Sequence, residues 1–263
     1  MLDYLVSQAP LFLLVAVRVF AILQTTPLLS TASVPRIAKL GLTGCIAYFL
    51  VPMAYNQGYR VDPYSLDYIA LLLGEGLIGV ITGFFINMIF GAFSSAGQFF
   101  SLQMGFSAAE AYDALSQVEN PLMGQYLNFL AMLAFLQTKG FQKLLLSGVF
   151  RSFQSLNAMV LLQAREEFMN FLLKGLTQLF FDAMLISFPM IATLFLVSVS
   201  MGILSKAAPQ MNLLSEGLPI TILVSFFLLW ELMPTMIDYF SRLFDASFTS
   251  LEQLFLKVAP HVN

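Results

Sequence analysis

Gln103-Met104-Gly105-Phe106-Ser107-Ala108-Ala109-Glu110-Ala111-Tyr112-Asp113 closes the longest uncharged run of the chain. No residue from Gly76 to Ala109 is charged, and then Glu110, Asp113 and Glu119 arrive together. A run of that length and apolarity predicts a helix in lipid or in a protein core, since roughly 20 such residues cross a bilayer. Gly105 and the small residues 107–109 fall where a spanning helix should stop or continue. Irregular backbone at membrane depth is tolerated only inside protein or along a water-filled path. Function is therefore sought first at 103–113.

Composition extends this reading to the whole chain. Of 263 residues, 59% are apolar and 10% charged, with a mean hydropathy of +0.82. A soluble domain carries about a quarter charged residues, so the composition is that of an integral membrane protein. The length suits one all-α unit, residues 1–263, rather than two domains. The net charge of −3 and the lack of long basic runs give no case for nucleic acid. The only cysteine, Cys45, lies in an apolar stretch and is expected to be a small buried hydrophobe. The only histidine, His261, has no partner for a ligand set and is expected to be a solvated tail residue. Met1-Leu2-Asp3-Tyr4 lacks the basic region of a signal peptide, so the first apolar segment is expected to remain.

Hydropathy gives six main segments, about 4–29, 38–55, 67–101, 120–138, 177–204 and 213–237, and a more polar seventh at 144–162. The third is too long for one simple crossing, and a reversal near Ser94-Ser95-Ala96-Gly97 would divide it. Basic loops should share the cytoplasmic side. Counting single crossings puts Arg36 and Lys39 opposite Lys139, Lys143 and Arg151. Either the third segment doubles back or some segments do not cross lipid.

Residues 238–258 place Phe240, Leu243, Phe244, Phe248, Leu251, Leu254, Phe255 and Val258 at steps of three and four. This amphipathic helix would lie on a membrane surface or dock on another subunit. Gly74-Glu75-Gly76-Leu77-Ile78-Gly79 matches a dinucleotide fingerprint but lacks the strand and βαβ unit that the chemistry needs. A different pattern overlaps it: Glu75, Gly79, Gly83, Asn87, Gly91 and Ser95 recur every four residues. Gly79, Gly83, Asn87 and Gly91 are read as helix-packing positions that admit a neighbouring backbone. A four-residue step overshoots one turn by about 40°, so the stripe winds around its helix. Arg18 and Glu75 are buried charges, each needing a partner. Their pairing with each other is one arrangement among those open.

Prolines 27, 35, 52, 189, 209, 219 and 234 lie in or beside apolar segments and point to kinked hairpins. Ser205 to Asn212, followed by Gly217 and Pro219, reads as a polar elbow that includes Lys206, Pro209, Gln210 and Asn212. No catalytic triad, paired acid and base, phosphate loop or dense metal-ligand set is visible, and neither catalysis nor a cofactor is expected. Glu110, Asp113 and Glu119 read as a solvated loop or mouth.

Several motifs, in order along the chain, resemble the FliR family of flagellar biosynthetic proteins. They are Arg18 with Pro27, Val34-Pro35-Arg36, Ala96-Gly97-Gln98 with Gln103 to Ala109, Phe135 to Gly140, and Ala207 to Asn212 with Gly217 to Ile220. The chain departs from the family at Asp113-Ala114, where Asp-Pro is common, and at Phe141, where a His often follows the glycine. The resemblance implies a core subunit of a flagellar type III secretion export gate in the bacterial inner membrane, within the flagellar basal body. It implies membrane-associated kinked hairpins assembled helically with FliP-like, FliQ-like and FlhB-like subunits. That assembly would pass unfolded flagellar export substrates through a closed channel and would also contact membrane lipid. The resemblance further implies that the segment at 103–113 is a pore plug including Gln103, Met104, Gly105, Phe106 and Ser107. An injectisome export gate and a small-solute transporter are the alternatives.

Overall fold

The computed structural model describes residues 2–30, 34–56, 64–105, 122–156, 158, 164–208 and 216–258. Every regular element among them is helical. Helix α1 spans Leu2–Thr25, α2 Pro27–Ser30, α3 Arg36–Asn56, α4 Leu66–Met104 and α5 Leu122–Gln137. Next comes α6 (Gly140–Lys143), a π-helical stretch Leu144–Phe150, and α7 (Arg151–Ser155). Two long helices complete the chain, α8 (Arg165–Ala207) and α9 (Leu218–Val258).

Local chemistry sets several of these boundaries. α1 ends where Pro27 cannot donate an amide. There, the hydroxyls of Thr25 and Thr26 donate to the carbonyls of Ala21 and Ile22, each at 2.7 Å. Pro27 then opens α2, a first position that needs no amide. Between α5 and α6, Lys139 adopts φ 56°, and Gly140 starts the next helix. α8 has Glu166 and Glu167 in its first turn and Lys206 in its last, signs that suit the helix dipole. α3, α8 and α9 run through Pro52, Pro189 and Pro234 without ending.

Length is the main departure from the sequence reading. α4 is one unbroken helix of 39 residues, so no reversal occurs at Ser94–Gly97. At 1.5 Å per residue it is about 58 Å long, nearly twice a hydrocarbon core of about 30 Å. α8, with 43 residues, and α9, with 41, exceed it. These three helices are long and apolar enough to cross a membrane. Each also has length to spare outside one. The third segment thus counts as one helix, and doubling back does not resolve the conflict over the basic loops.

The chain forms two compact units, one of Met1–Met88, Lys139–Gly175 and Phe244–Asn263, the other of Ile89–Thr138 and Leu176–Leu243. In the first, α1 packs on α3 and runs parallel to the start of α4. Tyr68 donates to the Pro10 carbonyl at 3.0 Å, and Gly79 and Gly83 lie against Arg18 and Thr25. In the second, α4 and α5 form an antiparallel hairpin. Phe90 stacks near Phe135 at 5.5 Å, and Gly97 abuts Met123 and Gly124. α9 joins this hairpin through Phe240 on Phe93 at 4.1 Å.

Two expectations about burial change. Cys45 is exposed, on a face of α3 that also exposes Tyr48 and Phe49. An apolar stretch does not have to bury every small residue when one face of its helix is uncovered by the chain itself. The amphipathic C-terminal segment docks on its own chain instead of awaiting a membrane surface or a second subunit. Phe244, Phe248, Leu251 and Phe255 are buried there. On the same segment Asp245 pairs with Lys143, Glu252 accepts from Ser147, and Arg151 reaches Glu252 at 3.1 Å.

Candidate functional site

In the first unit the charges Arg18 and Glu75 meet. Arg18, wholly buried, donates from Nε to Glu75 Oε2 at 2.5 Å. Its other nitrogens donate to Ser152 Oγ at 3.3 Å and the Leu156 carbonyl at 2.9 Å. The guanidinium also lies 4.0 Å from the centre of the Phe153 ring. Glu75 Oε1 accepts the Ala158 amide at 3.2 Å. A planar fork of donors suits this task, because one side chain ties α1, α4 and the end of α7 together. Desolvating two charges is costly unless their remaining hydrogen-bonding capacity is satisfied. Here the serine, two backbone groups and an aromatic face supply it.

The small-residue stripe divides as its winding dictates. A Cβ at Gly79 would stand 2.5 Å from the Arg18 carbonyl, and one at Gly83 would overlap the Thr25 side chain. Both glycines thus bring α4 directly onto α1. Asn87 is exposed, a correction to grouping it with them: one further step of four carries the stripe past Gly83, which already faces Thr25 at the end of α1. Gly91 has come around to α8, where a Cβ would meet Leu179 at 3.2 Å.

The described part of the 103–113 segment is its base. α4 stops at Met104, and Gly105 takes φ 85°, the left-handed conformation that commonly ends helices at glycine. Gly105 faces Leu218, the first residue of α9. Gln103 is exposed, whereas Met104 is wholly buried. Met104 therefore anchors the segment in the second unit and does not present its thioether at a free surface. Phe106, Ser107 and the acidic residues Glu110, Asp113 and Glu119 lie outside the described residues. Of the elbow, Lys206 is exposed at the end of α8, while Pro209, Gln210 and Asn212 also lie outside them.

One polar network has no counterpart in the sequence reading. Asp182, in the second unit, is buried and accepts hydrogen bonds from Tyr239 Oη at 2.9 Å and Gln178 Nε2 at 2.8 Å. It is the only charge between Lys174 and Lys206, a signal visible in the sequence. Intramembrane ionisable residues mark functional or packing sites by default. Among the described residues, no group of three metal-ligating side chains gathers here or elsewhere.

The sequence profile of the family described as bacterial export proteins, family 1, matches residues 9–247. The flagellar biosynthetic protein FliR of Bacillus subtilis is 30% identical over 257 residues, covering 96% of this chain and 97% of its own. FliR of Escherichia coli is 30% identical over 243 residues, 90% of this chain and 89% of its own. The surface presentation of antigens protein SpaR of Shigella flexneri is 27% identical over 173 residues, 65% of each chain. The likeness to the flagellar proteins thus runs along nearly the whole length, and that to SpaR along just under two thirds. The chain belongs to family 1 of the bacterial export proteins, the family of the flagellar FliR proteins.

Proposed function

We infer that this chain is a core subunit of the flagellar type III protein export gate and forms part of the channel that secretes unfolded flagellar proteins. The observation that carries this reading is the match to flagellar relatives over nearly the full length of both chains. The three long apolar helices fit a membrane-embedded export component, and its work is structural rather than enzymatic. The gate reading places the chain in the bacterial inner membrane, beside FliP-like, FliQ-like and FlhB-like subunits. Deleting the gene in a flagellated host should abolish secretion of flagellar substrates, and plasmid-borne copies should restore it. Normal secretion in the deletion strain sinks this reading.

Within the gate, residues 103–113 act as the plug. Two physical facts support it: the uncharged helix ends there in a left-handed glycine, and Met104 pins the near end in packed protein. Apolar side chains at a constriction exclude water and ions, and Phe106 is the large apolar residue that follows this glycine. Phe106→Ala in an assembled gate should raise the ion leak seen in single-channel recordings. An unchanged leak removes Phe106 as the seal.

A further inference from the structure

α9 carries an outward face that its own chain leaves open. Ile220, Leu223, Phe227, Trp230, Glu231 and Pro234 recur at steps of three and four and are all exposed, Trp230 at 80%. At 100° per residue these six lie within about one third of the helix circumference. The opposite face, with Ser225, Leu229, Met236 and Phe240, is buried. Only 17% of the most apolar window of α9 is covered by the chain, the least of the three long helices. Lipid could cover such a face but for Glu231. That carboxylate stands among a leucine, a phenylalanine and a tryptophan, and it pairs with no described residue.

We propose that this face of α9 docks an apolar helix of another gate subunit, and that an arginine or lysine on that helix pairs with Glu231. A lone carboxylate on an apolar ground calls for a complementary cation. An ionisable group in a membrane-spanning helix normally faces protein or a water-filled cavity and finds a partner there. This molecule shows the solution once already: Glu75, also amid apolar residues, is matched by Arg18 from a second helix. Glu231 presents the same requirement outward. The large aromatic side chains beside it are the kind that anchor interfaces, and they would keep water from the pair.

The inference rests on the gate reading, and its test separates the two. A photoreactive phenylalanine analogue is placed at Phe227 or Trp230 in the full chain, co-expressed with the other gate components. Irradiation should give an adduct with a gate subunit, and peptide mapping should put it within one helical turn of an arginine or lysine. Glu231→Lys should cut co-purification of that subunit in detergent by about tenfold or more, and Glu231→Gln by less. Replacing the mapped partner cation with Glu should restore co-purification of the Glu231→Lys chain. Adducts confined to lipid, or to export substrate as in a water-filled channel, would overturn the docking proposal while leaving the gate reading intact. So would a Glu231→Lys chain that assembles at the wild-type level. A wild-type chain that purifies free of every gate component overturns both.

Discussion

Two carboxylates on apolar helices meet opposite fates in the two units. Glu75, in the first unit, is closed in by Arg18, the Ala158 amide and the packed elements around them. Glu231, in the second, stands on an exposed apolar face. Asp182 lies between these extremes, buried but held by a phenol and an amide and not by a cation. The first unit thus satisfies its buried charges Arg18 and Glu75 from its own residues. In the docking proposal the second leaves Glu231, on its apolar face, for assembly to satisfy, which is how a subunit built for a complex differs from a self-sufficient bundle.

The largest effect should come from breaking the closed site. Arg18→Ala strands Glu75 in a desolvated pocket and should cost about 3–5 kcal/mol, read as loss of thermal stability in detergent. Replacing both, Arg18→Met with Glu75→Met, should return most of that loss, because neither charge is then left alone. If Arg18→Ala unfolds at the wild-type temperature, the first unit is not held by this pair and the contrast collapses.

Next in size is the contact beneath the pair. Gly79→Val must push α4 away from the Arg18 carbonyl and should cost about 1–3 kcal/mol in the same assay. The Arg18 guanidinium would be displaced with its backbone, so Gly79→Val and Arg18→Ala should combine less than additively. Full additivity would mean that the close approach and the ion pair are independent, and that the first unit is less tightly coupled than its geometry implies.

In the second unit, Asp182→Leu leaves the Tyr239 hydroxyl and the Gln178 amide without their acceptor, at a cost of about 1–3 kcal/mol. Asp182→Asn keeps an acceptor oxygen and should cost under about 1 kcal/mol. If Asn behaves like Leu, the negative charge itself matters, and the second unit holds a buried ion site resembling that of the first. Secretion measured beside stability would then show whether the charge serves folding or transport.

Much of this arrangement could be read from residue order, and its failures have physical causes. Arg18 and Glu75 stood out because a charge inside an apolar run is conspicuous. Their pairing did not, because they lie 57 residues apart and no periodicity spans that distance. Gly79 and Gly83 are legible from their spacing, whereas the same spacing extends the stripe to Asn87, past the point where it leaves α1. The reversal expected at Ser94–Gly97 came from assuming that a helix ends where a bilayer does. α4 continues because Phe93, Ala96 and Phe100 are buried in protein, which sets no such limit. Asp182 is as isolated in sequence as Arg18, but its partners Gln178 and Tyr239 are uncharged and do not stand out. For the C-terminal helix, sequence shows an apolar face but not that its own chain covers it.

The smallest effect should be at the rim of the first unit, where the π-helical stretch and α7 meet the C-terminal part of α9. Arg151 and Glu252 are 3.1 Å apart, with side chains 48% and 27% exposed. Solvent screens such a pair, and ordering two long side chains offsets part of the attraction. Arg151→Ala should therefore cost no more than about 1 kcal/mol, and less at high salt. Glu252→Ala should cost more, because Glu252 also accepts from Ser147. Stability in detergent at low and high salt checks both. A loss from Arg151→Ala that rivals Arg18→Ala and ignores salt would mean that this rim is dry in the assembled protein. A partner would then cover the first unit too, and the division between a finished unit and an unfinished one would fail at that edge.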